Sequence, residues 1–365
     1  MPATVDTGEG LDFAVRRDDW RQCRVTSAAL PATLQTGQVL FRVDRFALTA
    51  NNISYALTGD MLGYWTFFPA EAPWGRLPVM GFADVVRSQH PGFAVGERVF
   101  GFFPMSTHLV IDAAEAGAGP LIDGAPHRRD TALVYRQYPR VASEPLYDAA
   151  REDPYLLLRG LFTTSFLVDD FLADQEYFGA RAVVISSASS KTAIALAFLL
   201  SRRGAARVIG LTSPRNRAFV ERLGCYQQVL PYAEIDALSA AEPVVFVDHS
   251  GDREVVHALH HHFGNALRHS GVVGATHWEG RRPGRDLPGP TPEFFFAPAQ
   301  LEKRLADWGA AGWQQRTGEA WGRFLDFADG WLEVVRGRGA ADVERAYREV
   351  LEGRALPHQG HVLSL

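Results

Sequence analysis

The chain has 365 residues, 47% of them hydrophobic and 22% charged, as expected of a folded protein too long for one hydrophobic core. Its net charge of −5 gives no electrostatic reason to expect nucleic acid or an anionic membrane as a partner. Its two cysteines, Cys23 and Cys225, exclude a disulfide framework and a four-cysteine zinc site.

The N-terminal part of the chain has the pattern of a β-rich domain. The N-terminus lacks the apolar core of a signal peptide, and no segment reaches the roughly 20 apolar residues that span a bilayer, so we expect a cytoplasmic protein. Residues 38–44 partly alternate apolar and polar side chains, as a half-buried strand does. Residues 78–103 are short β-type runs interrupted by glycine and proline, which predicts a small, bent antiparallel sheet or barrel.

A different pattern begins near residue 153, where apolar residues recur at helical spacing as far as residue 173. Strands and helices then alternate: strand 182–186, helix 191–203, strand 207–212, helix 214–223, strand 243–250, helix 252–269 and strand 270–277. This alternation is typical of buried parallel strands joined by right-handed crossovers, so we predict a doubly wound sheet. Farther on, residues 279–298 are predicted to be an irregular connection, 299–354 helical, and 361–365 a strand.

The turn after the first strand of this sheet is the central candidate site. A strand that leads directly into a helix directs backbone N–H groups and the helix N-terminus toward a pyrophosphate. The fingerprint G-x-G-x-x-G is absent, but small residues partly replace its glycines. The predicted phosphate ligands are four hydroxyls and one cation: Ser187, Ser189, Ser190, Lys191 and Thr192. The alternative is a strand-to-helix turn that is only capped by serine.

The end of the second strand indicates which dinucleotide is bound. Asp or Glu at that position selects the free 2′-hydroxyl of NAD, and residues 212–216 contain no carboxylate. Ser213, Arg215 and Asn216 suit a 2′-phosphate instead, which predicts NADP(H) as cofactor. The alternative is an ordinary loop with Ser213 as helix N-cap and Pro214 as the first helical residue. Both interpretations can hold together.

Later strand ends add further candidates for contact with the cofactor. Asp248, His249 and Ser250 end one core strand and His277 ends the next, where open α/β sheets bind ligands. The histidines at 257 and 260–262 lack the glutamate of a zincin motif, so we interpret them as a solvated helix face and predict no metal.

These segments together resemble the medium-chain dehydrogenase/reductases, in particular the quinone oxidoreductase and enoyl reductase branches. The resemblance runs from residue 38 to 365 and includes ALTANNISYALTGDMLGY at 47–64, the strand-turn-strand at 78–102, and the closing PHQGHVLSL. It implies a Rossmann-like doubly wound domain at 151–294 and a bent antiparallel, GroES-like catalytic domain at 1–150, completed by 295–365. It also implies a homodimer. The family's zinc-binding Cys and His pattern is absent, so the resemblance points to zinc-independent members.

In such a fold the cofactor delivers the hydride, and the protein orients the substrate and stabilises charge. The segment that resembles the family's substrate side contains three candidate donors to a carbonyl or enolate oxygen: Asn52, Tyr55 and Tyr64. The alternatives are a turn-forming asparagine and tyrosines that only pack in an aromatic-rich segment. Tyr135 is a further candidate for contact with the cofactor or an anionic substrate, against an ordinary surface loop.

The sequence therefore predicts a zinc-independent, NADPH-dependent oxidoreductase that reduces a carbonyl or activated alkene of a small, apolar substrate. The alternative is a non-redox protein on the same fold, either a nucleotide-binding sensor or scaffold or a cofactor-free lyase or aldolase-type enzyme. The missing glycines are the feature that favours this alternative. The sequence does not indicate the substrate's identity or the direction of the reaction.

Overall fold

The computed structural model describes residues 8–57, 59–61, 63–114, 119–273 and 287–365. The chain divides into two compact units. The first unit joins Met1–Leu157 to Glu333–Leu365, and the second is Leu158–Leu332. The sequence predicts the corresponding boundaries at 150 and 295. In the structure the residues between 295 and 332 fall in the second unit.

The first unit is built mainly of antiparallel strands. In chain order these are β1 (Glu9–Arg16), β2 (Asp19–Ala29), β3 (Gln38–Leu48), β4 (Trp74–Gly75), β5 (Pro78–Ser88), β6 (Arg98–Pro104), β7 (His108–Ala114), β8 (Leu121–Asp123) and β9 (Gln137–Tyr138). Two short helices, α1 (Ala50–Leu57) and α2 (Leu133–Arg136), lie between them in sequence. Strand β3 pairs with both β5 and β7, and its register with β5 shifts twice. Such irregularities bend a sheet, and the predicted bent antiparallel sheet is confirmed.

The second unit is built on a parallel sheet. Helix α3 (Glu152–Asp174) leads into it from the first unit. Its strands are β10 (Ala182–Ile185), β11 (Arg207–Thr212), β12 (Gln228–Pro231), β13 (Val244–Asp248), β14 (Leu267–Val272) and β15 (Glu293–Phe294). Its helices are α4 (Lys191–Arg203), α5 (Arg217–Arg222), α6 (Arg253–Phe263) and α7 (Ala297–Ala328). The strand order is β12-β11-β10-β13-β14-β15, and all of these pairs are parallel.

Alternation along the central strand explains why helices cover both faces of this sheet. Val183 and Ile185 of β10 belong to one hydrophobic core, which includes apolar residues of α4. Ala182 and Val184 belong to a second core, which includes apolar residues of α6. Successive side chains of a strand point to opposite faces, so a strand that is apolar throughout needs cover on both sides. The predicted doubly wound sheet is confirmed.

One of the predicted segments in this unit needs correction, and one strand was missed. Helix α6 ends at Phe263 and not at residue 269, because Gly264 has a φ of +48° and β14 begins at Leu267. Residues 274–277 of the predicted strand lie outside the described residues. The short outer strand β12 was not predicted, since four residues ending in proline show little periodicity.

The last part of the chain returns to the first unit through β16 (Glu333–Arg338), α8 (Ala340–Leu351) and β17 (Gln359–Ser364). The prediction that residues 299–354 are all helical is wrong at β16, which pairs in parallel with β17. A Cβ at Gly337 would lie 2.8 Å from Leu363 Cδ2, so glycine permits this close approach. The strand predicted for the closing segment is confirmed as β17, which pairs with β3. Within the described residues, no helix has the length and apolar character needed to cross a bilayer.

Candidate functional site

The turn between β10 and α4 contains a serine in a conformation that glycine usually adopts. Ser187 has a φ of +48°, in the left-handed region that L side chains rarely occupy. Its N–H donates to the hydroxyl of Tyr232 at 2.9 Å, and its carbonyl accepts from the N–H of Ser190 at 2.7 Å. The tight turn therefore forms without the glycine fingerprint, because other hydrogen bonds hold its backbone.

Ser190 and Ala188 connect this turn to its surroundings. Ser190 is the N-cap of α4, and its Oγ accepts from the N–H of Ala193 at 3.3 Å. The N–H of Ala188 donates to the carbonyl of Leu211 at 3.0 Å, and the carbonyl of Ala188 accepts from the Tyr226 hydroxyl at 2.9 Å. The capping alternative thus describes Ser190 correctly, and it is compatible with an anion at the same helix N-terminus.

Lys191 and Thr192 form the first turn of α4. Burial lowers the pKa of the Lys191 ammonium to about 8, because a charged amine is disfavoured away from water. Thr192 is half-buried, and its carbonyl accepts from Ser165 Oγ at 2.8 Å. Because the pKa of about 8 is still above neutral pH, Lys191 carries most of its positive charge there, and it lies at the helix end that favours anions.

The end of β11 lies beside this turn. Asn216 Nδ2 donates to Ser189 Oγ at 3.0 Å, so two predicted site residues are in direct contact. Ser213 is the N-cap of a short 3₁₀ helix that begins at Pro214, but its side chain makes no capping bond. Its Oγ is buried and has no hydrogen-bond partner among the described residues. Arg215 lies exposed in the same short helix.

Asp248 joins the ends of β10 and β13. Its buried carboxylate accepts from Ser186 Oγ at 2.5 Å, Ser250 Oγ at 2.6 Å, and the N–H groups of Ser250 and Gly251 at 2.9 and 3.2 Å. A carboxylate offers about four acceptor sites, so these four donors occupy it. Asp248 and Ser250 thus lie where they were predicted, but their side chains shape the loop.

His249 follows Asp248 at the same edge of the sheet. Its N–H donates to Ser186 Oγ at 2.8 Å. Its Nε2 is buried and has no partner among the described residues. Burial lowers the pKa of His249 to about 4, so the imidazole is neutral at physiological pH. His277, the other predicted histidine, lies outside the described residues.

The predicted tyrosines lie together in the first unit. The ring centroids of Tyr55 and Tyr64 are 4.4 Å apart, and the hydroxyls of Tyr64 and Tyr135 are 3.3 Å apart. Phe67 and Phe102 pack against Tyr135 with ring centroids 5.1 and 5.2 Å away. Burial raises the pKa of Tyr55 and Tyr64 well above the usual value, so both phenols are protonated. Tyr135, predicted near the cofactor, is in the first unit. The turn between β10 and α4, residues 186–190, which we call the serine turn, is in the second unit.

Asn52 has both of its polar side-chain atoms engaged. Its Oδ1 accepts from the N–H of Thr49 at 2.7 Å, and its Nδ2 donates to the carbonyl of Pro78 at 2.9 Å. The side chain is 5% exposed. These contacts favour the turn-forming alternative, and the neighbouring Asn51 is the residue that contacts a tyrosine, with Nδ2 donating to the Tyr55 hydroxyl at 2.7 Å.

The histidine-rich helix α6 is only partly a solvated face. His257 and His261 are exposed, with ring centroids 4.0 Å apart. His260 is buried, and its ring nitrogens lie 2.9 Å from Ser270 Oγ and 3.0 Å from the Pro288 carbonyl oxygen. In the part of the chain that the structure describes, no group of three or more His, Cys, Asp or Glu side chains is arranged to hold a metal ion.

A cavity of about 220 Å³ lies elsewhere in the first unit, between β1, β2 and β7. Its charged groups, Asp12 and Arg76, are paired with each other at 3.1 Å. It contains none of the predicted site residues.

Three residues at these sites were missed from the sequence: Tyr226, Tyr232 and Asn51. Tyr232 directly follows β12, so its position at a strand end would have been a signal if that short strand had been predicted. Asn51 and Tyr55 are four residues apart, the spacing that places side chains on one helix face. Tyr226 has no local signal, because its contact with Ala188 spans 38 residues.

Comparison with known proteins relates this geometry to a family and a fold. The family described as "Protein of unknown function (DUF2855)" matches residues 46–356. No curated protein sequence matches the chain.

Three similar solved structures cover almost the whole chain. They are CurA in complex with NADPH from Vibrio vulnificus (14% identity, TM-score 0.56, 97% of this chain and 98% of that one), the yhdH oxidoreductase from Salmonella enterica in complex with NADP (14%, 0.54, 97% and 99%) and S. aureus TarJ in complex with NADPH (10%, 0.54, 98% and 99%). At these identities the likeness establishes the fold. The predicted medium-chain dehydrogenase/reductase fold is confirmed.

Proposed function

The chain belongs to the DUF2855 family, and on that premise we propose that it is a zinc-independent, NADP(H)-dependent oxidoreductase acting on a small, apolar carbonyl compound or activated alkene. The observation that carries the proposal is the cluster of polar groups after four adjacent parallel strands, β12, β11, β10 and β13. Open α/β sheets bind ligands at this edge. Two atoms there, Ser213 Oγ and His249 Nε2, are buried without partners among the described residues. Buried polar atoms normally have partners, and a ligand would supply them.

The residues present fit the phosphates of a dinucleotide. Ser189, Ser190, Lys191 and Thr192 surround the N-terminus of α4, a helix of 13 residues whose dipole favours an anion. Arg215, Asn216 and Ser213 would bind the 2′-phosphate with a cation, an amide and a hydroxyl. When bound, NADPH supplies a hydride. The NADP or NADPH in the three similar structures supports this choice of cofactor.

Tyr55, Tyr64 and Tyr135, which we call the tyrosine cluster of the first unit, suit the substrate side of the proposed reaction. Tyr55 and Tyr64 are protonated phenols among aromatic rings, so they provide hydrogen-bond donors in apolar surroundings. Such donors stabilise the negative charge that develops on a carbonyl or enolate oxygen during reduction. The proposal includes a homodimer, as the family resemblance implies, and a cytoplasmic location, as the sequence pattern leads us to expect.

The direct test is a titration of the purified protein with NADPH and with NADH, followed by nicotinamide fluorescence. We expect NADPH to bind more tightly than NADH and the complex to reduce a simple enone such as 2-cyclohexen-1-one. Binding without turnover of a panel of enones and quinones would favour a nucleotide-binding sensor or scaffold. No binding of either nucleotide would contradict the proposal and favour a cofactor-free protein on this fold.

Replacing Arg215 by alanine should weaken NADPH binding by about 10- to 100-fold and leave NADH binding nearly unchanged. The reason is that a hydrogen bond to a charged group contributes about 1.5–3 kcal/mol, and about 1.4 kcal/mol corresponds to tenfold in affinity. Fluorescence titration of the variant with both nucleotides measures this difference. Arg222→Ala, an exposed arginine of α5, is the matched control. Equal losses of NADPH and NADH affinity would exclude the 2′-phosphate assignment.

NADPH affinity should decrease as the pH rises through about 8, the pKa of Lys191 in the folded protein. Above this pH the amine is neutral and no longer attracts phosphate. A bound phosphate raises the pKa again, so binding near pH 8 should be accompanied by proton uptake, which calorimetry in buffers of different ionisation enthalpy measures. Because the pKa is lowered from 10.5, the unfolded chain binds more protons between these values, and Lys191 should make the stability rise with pH there.

Lys191→Met should abolish this pH dependence. The chain's other lysine, Lys303, pairs with Asp174 and provides the control Lys303→Met. A pH profile that is the same in both variants would show that Lys191 does not bind the phosphate.

A further inference from the structure

Helix α1 presents two polar side chains that are linked to each other. Asn51 and Tyr55 are four residues apart, so they share one face of the helix. Asn51 Nδ2 donates to the Tyr55 hydroxyl oxygen at 2.7 Å. Both side chains are half-buried and keep part of their surface exposed to solvent. The contact is therefore a short, directed hydrogen bond between two side chains that are only partly shielded from solvent.

The direction of this bond determines what the Tyr55 hydroxyl can do. A phenolic hydroxyl has one hydrogen to donate and oxygen lone pairs that accept. An amide nitrogen only donates, so Asn51 occupies a lone pair and leaves the hydrogen uncommitted. Among the described residues, that hydrogen has no acceptor. Tyr64 and Tyr135, in contrast, commit one of their two hydroxyl hydrogens to each other.

We propose that Tyr55 is the hydrogen-bond donor to a substrate oxygen and that Asn51 is the positioning residue that fixes it as a donor. The rings of Tyr64 and Phe102 lie 4.4 and 6.3 Å from the Tyr55 ring. They limit where the phenol can move and exclude water on that side, which strengthens a hydrogen bond to a developing negative charge. The ligand class is an oxyanion or polarised carbonyl on an apolar body. The reaction that this donor would serve rests on the proposed function. The binding of an oxyanion by the Tyr55 hydroxyl does not.

The test uses 4-nitrophenol as a probe, with the full chain and no cofactor. A donor site binds the phenolate more tightly than the phenol, so binding should increase the visible phenolate absorbance at a pH just below the pKa of the free probe. We expect Tyr55→Phe to weaken phenolate binding by about tenfold or more, since a hydrogen bond to a charged group has about that effect. Tyr147→Phe is the matched control, because the Tyr147 hydroxyl donates to Glu152, and should stay within about twofold of the wild type.

Asn51→Asp separates positioning from simple structural support. Aspartate has nearly the same shape and suits the first turn of a helix, so the melting temperature should be maintained. Its carboxylate accepts the Tyr55 hydrogen instead of donating to the oxygen, so phenolate binding should fall about as far as in Tyr55→Phe. Wild-type binding by Asn51→Asp would overturn the role of Asn51. Wild-type binding by Tyr55→Phe, or no phenolate signal with the wild type, would overturn the role of Tyr55. Phenolate binding is measured without NADPH, and NADPH titration is measured without the phenol. A failure of the Tyr55 proposal can therefore be told apart from a failure of the proposed NADP(H)-dependent function.

Discussion

Replacing Arg128 by alanine should lower the free energy of unfolding of the first unit by about 3–5 kcal/mol, the usual cost of removing one partner of a buried ion pair. Arg128 is completely buried, and its Nη1 lies 3.0 Å from Asp123 Oδ2 and donates to the Tyr138 hydroxyl at 2.8 Å. Asp123 is 3% exposed, so its carboxylate would remain buried without a cation. Urea denaturation followed by circular dichroism measures the loss.

The adjacent Arg129→Ala provides a matched control, because Arg129 is exposed and its side chain donates to the carbonyl of Gly124 at 3.3 Å. We expect a change within about 0.5 kcal/mol for this variant. Arg128 also donates to the carbonyl of Tyr135, so Arg128→Ala should also disturb the position of Tyr135 in the tyrosine cluster and weaken phenolate binding. Equal stability of the two variants would contradict the role of the buried pair.

Replacing Asp248 by alanine should destabilise the second unit by about 4 kcal/mol, because each buried donor left unsatisfied costs about 1–3 kcal/mol. The carboxylate holds the side chain of Ser186 at the start of the serine turn and two backbone N–H groups after β13. NADPH binding should weaken as well, since the turn loses its support. Denaturation, together with hydrogen exchange of the amides at 249–251, measures both the global and the local effect.

Two comparisons sharpen this prediction. Asp248→Asn keeps the shape but places an amide N–H₂ where one carboxylate oxygen accepts, so we expect about half of the loss. Asp252→Ala removes only the N-cap of α6, which accepts from the N–H of Glu254 at 2.8 Å, and should cost about 1 kcal/mol. If Asp248→Ala were no more harmful than Asp252→Ala, the carboxylate would not be the link between the two strands.

The parallel sheet was predictable because its signal is local. Runs such as AVVI at β10 and VVFVD at β13 are apolar on both faces, which a strand tolerates only when helices cover it on both sides. Strands β12 and β16 were missed for the opposite reason. Strand β12 is four residues long, and β16 carries three charged residues, so neither has a periodicity that distinguishes it from its neighbours.

The candidate site, like the fold, has features that the sequence predicts and features that only the structure shows. The sequence by itself determined the serine turn and the absence of a carboxylate after β11, because strand, turn and helix follow one another within a few residues. Only the tertiary structure decided that Asp248 fastens Ser186 across 62 residues, that Tyr232 bonds Ser187 across 45, and that Asn51, not Asn52, contacts Tyr55. The physical reason is that a hydrogen bond depends on the distance and direction between two groups, and strand order and helix phase set these across the chain.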